Sequence, residues 1–200
     1  MNPSLRFGLR FLLVSILLIS LANLLGDILV STIRPLYRWE ISAIDDHFRI
    51  IDLKLDNEGA DHVIRLEVTL AKPVFTGSHF LMPDPRGRAN SSTLIGNALQ
   101  PLVLLFAMMF SWPIKNWRSY FTRSLYALPF CFFILMIDVP IVLLASLWEI
   151  ILDPLAPTTS SPLMLWNHFL QGGGRLALGM AGGAVALWLA NPMRHDSVSS

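Results

Sequence analysis

The sequence predicts an integral membrane α-helical protein: four transmembrane helices, with a small outward-facing β-hairpin segment after the first. Three observations carry this. Of the 200 residues, 54% are hydrophobic and 14% charged, against roughly 25% charged in ordinary soluble domains. Four apolar stretches are separated by polar links, and the first link switches to period-two alternation. Lys and Arg fill the short 115–123 link and flank the outermost helices at Arg6, Arg10 and Arg194, while the 149–171 link has none, a placement that orients a multi-pass chain.

Phe11–Ile33 extends about 34 Å as a helix, enough for a hydrocarbon core of roughly 30 Å. Arg6 and Arg10 before it, with Ser20-Leu21-Ala22 inside it, resemble a signal peptide with a cleavage site. Leu24, Leu25 and 28–30 carry the apolar run past that site, so an uncleaved signal anchor is expected. Leu99–Ile114 is a second span, extended upstream through Leu94 and Ile95. Leu125–Leu152 is a third, and Leu176–Ala190 a fourth if Gly172–Gly174 join it. Pro101, Pro113, Pro129 and Pro140 are expected to kink or end their helices.

Arg6, Arg10, Lys115, Arg118, Arg123 and Arg194 fall in the two terminal segments and the link between helices two and three, where Asp196 is the lone acid. The 149–171 link has Glu149 and Asp153 and neither Lys nor Arg. Both termini and the 115–124 link are therefore expected to face the cytoplasm, and 34–92 and 149–171 the outside. Tyr37, Trp39, Trp148 and Trp166 suit one interface; Trp112, Trp117, Tyr126 and Trp188 suit the other. The expected units are a cytoplasmic stub and anchor (1–33), a periplasmic β-rich segment (34–92), a three-helix bundle (93–192) and a cytoplasmic tail (193–200).

Within the outer segment, "FRIIDLKL" and "HVIRLEVTL" alternate around "DNEGAD", which supplies the turn. Ile64, Leu66, Val68 and Leu70 share one face; Arg65, Glu67 and Thr69 share the other. A lone hairpin is marginal in water, so a third strand is expected around Trp39–Ile44. "MPDPRGRANSS" and 158–162 are expected as loops.

Little points to chemistry. One cysteine, Cys131, excludes a disulfide framework and multi-cysteine metal sites. The basic residues form no aromatic-interleaved patch, so no nucleic-acid partner is expected. His47, His62 and His79 with Asp45 and Asp46 lack a recurring ligand spacing, and no metal or cofactor is expected. Ser160 and Ser161 with His168 downstream lack an activating setting and fit a linker.

The layout of anchor, small outer β segment and three helices resembles the small membrane proteins encoded alongside exosortases, bacterial membrane enzymes that process C-terminal sorting signals. The stretches that carry the resemblance are "NALQPLVLLFAMMFSWP", "WRSYFTRSLYALP" and "FLQGGGR". It implies an accessory role in envelope-protein sorting in a Gram-negative bacterium, with no catalytic residues to carry over. Exosortases resemble cysteine enzymes that use Cys, Arg and His at the outer face. Cys131 is expected near the inner end of helix three, far from His168 and Arg175, where nothing would activate a thiolate.

Two features remain. Asp138 is a carboxylate inside the third apolar run, placed at mid-depth to the outer half, where an isolated charge is expensive. A cluster of Asp138, Arg175 and Gln100 would lower that cost; the alternative is a protonated Asp138 bonded to backbone freed by Pro140. Gly179 and Gly183 have GxxxG spacing and mark a helix-packing face, either within this chain or against another protein. The expected function is a non-enzymatic accessory or assembly membrane protein, partnered by the bilayer and by an exosortase-like protein or a second copy. The competing reading is a small membrane-embedded transporter or enzyme that uses Asp138.

Overall fold

The computed structural model describes residues 3–76, 79–113, 117–156 and 161–190. Lys115, Ser160 and the whole tail from 191, which carries Arg194 and Asp196, lie outside them. The first helix, α1 (Pro3–Ile44), is followed by strands β1 (Phe48–Glu58), β2 (Asp61–Leu70), β3 (Val74–Thr76), β4 (His79–Leu81) and β5 (Ala89–Leu94). Then come α2 (Ile95–Ser111), α3 (Arg118–Leu155), α4 (Pro162–Phe169), a π-helical turn (Leu170–Gly174) and α5 (Arg175–Ala190). Among the described residues, three helical stretches are long and apolar enough to cross a membrane: Ser4–Ile44, Arg118–Leu155 and Pro162–Ala190. The apolar α2 is shorter, with 17 residues, or about 25 Å.

Trp39–Ile44 is not a strand. α1 continues through it because Val30, Tyr37 and Ile41 recur at helical spacing and all are buried in the core. The third strand is β5, inside the stretch expected as a loop. It pairs antiparallel with β2, from Val63 opposite Leu94 to Val68 opposite Ala89, giving the order β1-β2-β5. Its polar sequence concealed it: Ser91 and Thr93 are buried, and Ser91 Oγ donates to the Leu143 carbonyl at 2.9 Å. A hydroxyl bonded in this way is tolerated against the helix.

The expected hairpin is present as β1 and β2, closed by Gly59 at φ +66°, a left-handed conformation glycine adopts freely. Ile64, Leu66 and Val68 are buried, and Leu70 partly so. On the other face Arg65 meets Asp56 at 3.0 Å and Glu58 at 2.7 Å, while Lys54 meets Glu67 at 3.3 Å. Such exposed pairs contribute at most about 1 kcal/mol each, so apolar burial fixes the sheet. A second small hairpin, β3–β4, was not expected from the sequence.

The sheet is tied to α3 beyond β5. Trp148 Nε1 donates to Asp45 Oδ2 at 2.6 Å, and its ring packs edge-on against His47 and Phe48. The 149–171 link is largely helical: α3 runs to Leu155, and α4 starts at Pro162 with Ser161 Oγ accepting from the Met164 amide at 3.3 Å. Pro101, Pro129 and Pro140 lie inside their helices, whereas Pro113 falls just after α2. At that end of α2, the buried Arg123 donates to the carbonyls of Met109, Trp112 and Pro113 at 3.1–3.3 Å. A cation there satisfies carbonyls that the helix leaves unpaired and complements its dipole.

Candidate functional site

Asp138 lies on α3 among Leu135, Val139 and Val142, all buried, and its own side chain is 1% exposed. What it meets is set by the glycine run before α5. Gly173 has φ +106°, which kinks the chain between α4 and α5. A Cβ on Gly174 would lie 2.6 Å from the Phe169 carbonyl oxygen, so the turn has no room for a side chain. The kink delivers Arg175, first residue of α5, onto α3.

Arg175 Nε donates to Asp138 Oδ2 at 2.8 Å and Oδ1 at 3.1 Å; Nη2 donates to Oδ1 at 2.8 Å. The guanidinium is itself buried. This side-on, two-nitrogen grip is the strong form of the ion pair. Removing both charges from water costs several kcal/mol per ion, and only such geometry offsets it. Asp138 and Arg175 are thus brought together. Gln100 is not part of the pair: it is exposed on α2 and lines a cleft of about 410 Å³ beside Arg175 with Asn97 and Gln171.

One neighbour was missed. Tyr37 of α1 is fully buried, lies close enough to Asp138 to feel its charge, and its hydroxyl has no hydrogen-bond partner among the described residues. Ending the first helix at Ile33 left it as an interfacial aromatic; the spacing of Val30, Tyr37 and Ile41 was the available signal.

Gly179 and Gly183 face α2. A Cβ on Gly179 would meet the Pro101 carbonyl oxygen at 2.5 Å, and one on Gly183 would meet Met108 Sδ at 3.2 Å and the Leu105 carbonyl oxygen at 3.3 Å. Of the two packing alternatives, these glycines take the one within the chain.

Asp45, Asp46 and His47 bring three potential ligand atoms within 4.8 Å of one another, but each has a protein partner. His47 Nδ1 lies 2.8 Å from Asp45 Oδ1, Trp148 takes Oδ2, and Lys72 bonds Asp46. That bond holds the Asp46 carboxyl below its ordinary range. His62 lies apart, paired with Asp27 at 3.2 Å. His168 Nδ1 lies 2.8 Å from the Met164 carbonyl oxygen, Ser161 caps α4, and Cys131 is buried on α3. None of these three is set beside the others as a catalytic pair.

The fold joins helices long and apolar enough to cross a membrane to a small three-stranded sheet, and a buried ion pair clasps two of the helices. No protein-family model, curated protein or solved structure matches the chain.

Proposed function

We propose that the chain is a non-enzymatic accessory or assembly protein of a bacterial inner membrane, crossing it four times with both termini in the cytoplasm. The observation that carries this reading is the closure of Asp138: both oxygens are held by one guanidinium. A carboxylate committed in this way serves packing between α3 and α5 rather than proton transfer.

Supporting the orientation, Phe7 of α1 packs on Trp112 after α2, with ring centroids 5.9 Å apart. Arg6, Arg10, Arg118 and Arg123 therefore share one end of the bundle, opposite the sheet; the described residues there include no acid, and short flanks of that kind mark the cytoplasmic side. Asp138 then lies about 30 Å along α3 from Arg118. On that reading the clasp falls toward the outer half of the membrane. The expectation of an exosortase-type partner rests on the sequence resemblance alone, and a second copy is the other partner to test.

Mild-detergent purification of the tagged chain from its native membrane tests the reading, by asking whether a sorting enzyme is recovered in stoichiometric amount. Recovery of the chain alone, with substrate-dependent flux after reconstitution, would overturn it. The transporter or enzyme reading has one observation in its favour: Arg175, which lines the cleft, holds the Asp138 carboxylate.

A further inference from the structure

α1 and α2 touch at two levels. At the upper level, a Cβ on Gly26 would meet Leu99 Cδ1 at 3.0 Å and Ile95 Cγ2 at 3.1 Å. At the lower level, the Phe7 ring packs edge-on against Trp112. Along the seam runs a groove of about 680 Å³, with Gly26, Ile95 and Leu99 of the upper contact in its lining. Its walls are Ile19 and Ala22 of α1, Val103 and Leu104 of α2, and Leu176 of α5. Its mouth is polar, with Asn23 and Asp27 of α1, Asp61 and His62 at the hairpin tip, and Asn97 and Gln100 of α2.

The dimensions select an occupant. From Ser15 to Asp27 the groove follows α1 for about 18 Å, close to one leaflet's half of a roughly 30 Å core. The Phe7–Trp112 contact closes the lower end of the seam, so a partner's helix, about 10 Å across, cannot run along it without breaking Phe7 from Trp112. A single acyl chain fits. An apolar slot facing lipid is filled by lipid, because an empty one forfeits the dispersion contacts of its lining.

The mouth selects the head group. The groove shares Asn97, Gln100 and Leu176 with the cleft that reaches Arg175. Arg175 spends Nε and Nη2 on Asp138, and Nη1 makes no hydrogen bond among the described residues. Cationic and amide N–H donors thus lie on one side of the mouth. On the other lie Asp27, shared with His62, and Asp61, which has no ion-pair partner among the described residues.

We propose that this groove holds one bilayer phospholipid with an ethanolamine-type head. Its acyl chain lies between α1 and α2, its phosphate toward Arg175, Gln100 and Asn97, and its ammonium toward Asp27 and Asp61. The inference rests on the reading of the chain as a membrane protein; it is independent of whether an assembly partner is found.

The test reconstitutes the full chain with phospholipids bearing a photoreactive group on the acyl chain, in ethanolamine, choline and glycerol head-group forms. Cross-links from the ethanolamine form are expected to concentrate on Ile19, Ala22, Val103 and Leu104, exceeding the choline form about tenfold, as the loss of charge-assisted hydrogen bonds implies. Asp27→Asn with Asp61→Asn is expected to abolish that preference while the groove cross-links persist. Ala22→Trp, which fills the slot, is expected to abolish the cross-links. Labelling spread evenly around α1, equal yields from the three head groups, or cross-links from the groove to a second protein chain would each overturn the proposal. The map on the unmodified chain decides it even where a variant fails to fold.

Discussion

Arg175 holds both carboxylate oxygens of Asp138, with Nε 2.8 Å from Oδ2 and Nη2 2.8 Å from Oδ1. Breaking a buried pair by removing one partner leaves the other charge uncompensated, at about 3–5 kcal/mol. Arg175→Gln is therefore expected to lower unfolding stability by about that amount. Asp138→Asn is expected to be milder, because an amide still accepts a hydrogen bond and brings no charge. The double variant is expected to fall short of the sum by more than the roughly 0.6 kcal/mol average for intramembrane hydrogen bonds. Additive losses in detergent unfolding would separate the two residues. Full stability of Asp138→Asn with complete loss of cellular function would favour a titrating carboxylate.

The two glycines of the α5 face are expected to differ. Alanine at Gly179 presses its Cβ onto the Pro101 backbone, which cannot swing aside, whereas at Gly183 the nearest atom is the flexible Met108 sulfur. Gly179→Ala is expected to cost about 2 kcal/mol and Gly183→Ala under about 1 kcal/mol, in the range for overpacking. Equal losses in thermal unfolding would mean that α5 shifts as a body and the close approach at Pro101 is unimportant.

The indole of Trp148 reaches Asp45 across the junction of α1, the sheet and α3. Trp148→Phe keeps an aromatic ring against Phe48 but removes the donor, which is expected to cost about 1.5–3 kcal/mol, as for a hydrogen bond to a charged group. The loss is expected to be local. Amide exchange in β1, β2 and β5 rises while that in α2 and α5 is unchanged. Faster exchange throughout the bundle would show that the sheet and the helices unfold as one unit.

Regular periodicity was legible in the sequence. The β1–β2 hairpin, its inward face of Ile64, Leu66 and Val68, and the apolar helices follow from alternation and run length. So did the meeting of Asp138 with Arg175, because two opposite charges in apolar runs have few other ways to lower their desolvation cost. Elements fixed by tertiary contact were not legible. β5 is polar and is a strand only because β2 and the Leu143 carbonyl receive it. Tyr37 was assigned to the membrane interface because the first helix was ended at Ile33, short of the buried stripe that runs on to Ile41. Gln100 was misplaced because depth along α2 was inferred without the face on which it lies.

The proposed topology is tested most sharply at α2, the helix whose 17 residues fall below a comfortable span. Between Asn57 at the hairpin and Trp117 before α3, it is the one long apolar helix among the described residues, so labelling these two sites asks whether α2 crosses. Both are exposed, and the native Cys131 is buried and so a quiet background. Cysteine replacing Asn57 is expected to react with an impermeant maleimide applied to spheroplasts, and cysteine replacing Trp117 only after the membrane is opened. A helix about 25 Å long can still span by local thinning of the bilayer or by long flanking side chains reaching the interface. Arg123, bonded to the carbonyls at the end of α2, keeps that end from exposing unpaired backbone. Labelling of both sites from outside would make α2 a re-entrant element and leave the three longer helices to cross alone. Labelling at Trp117 without labelling at Asn57 would invert the orientation, and with it the placement of the sheet.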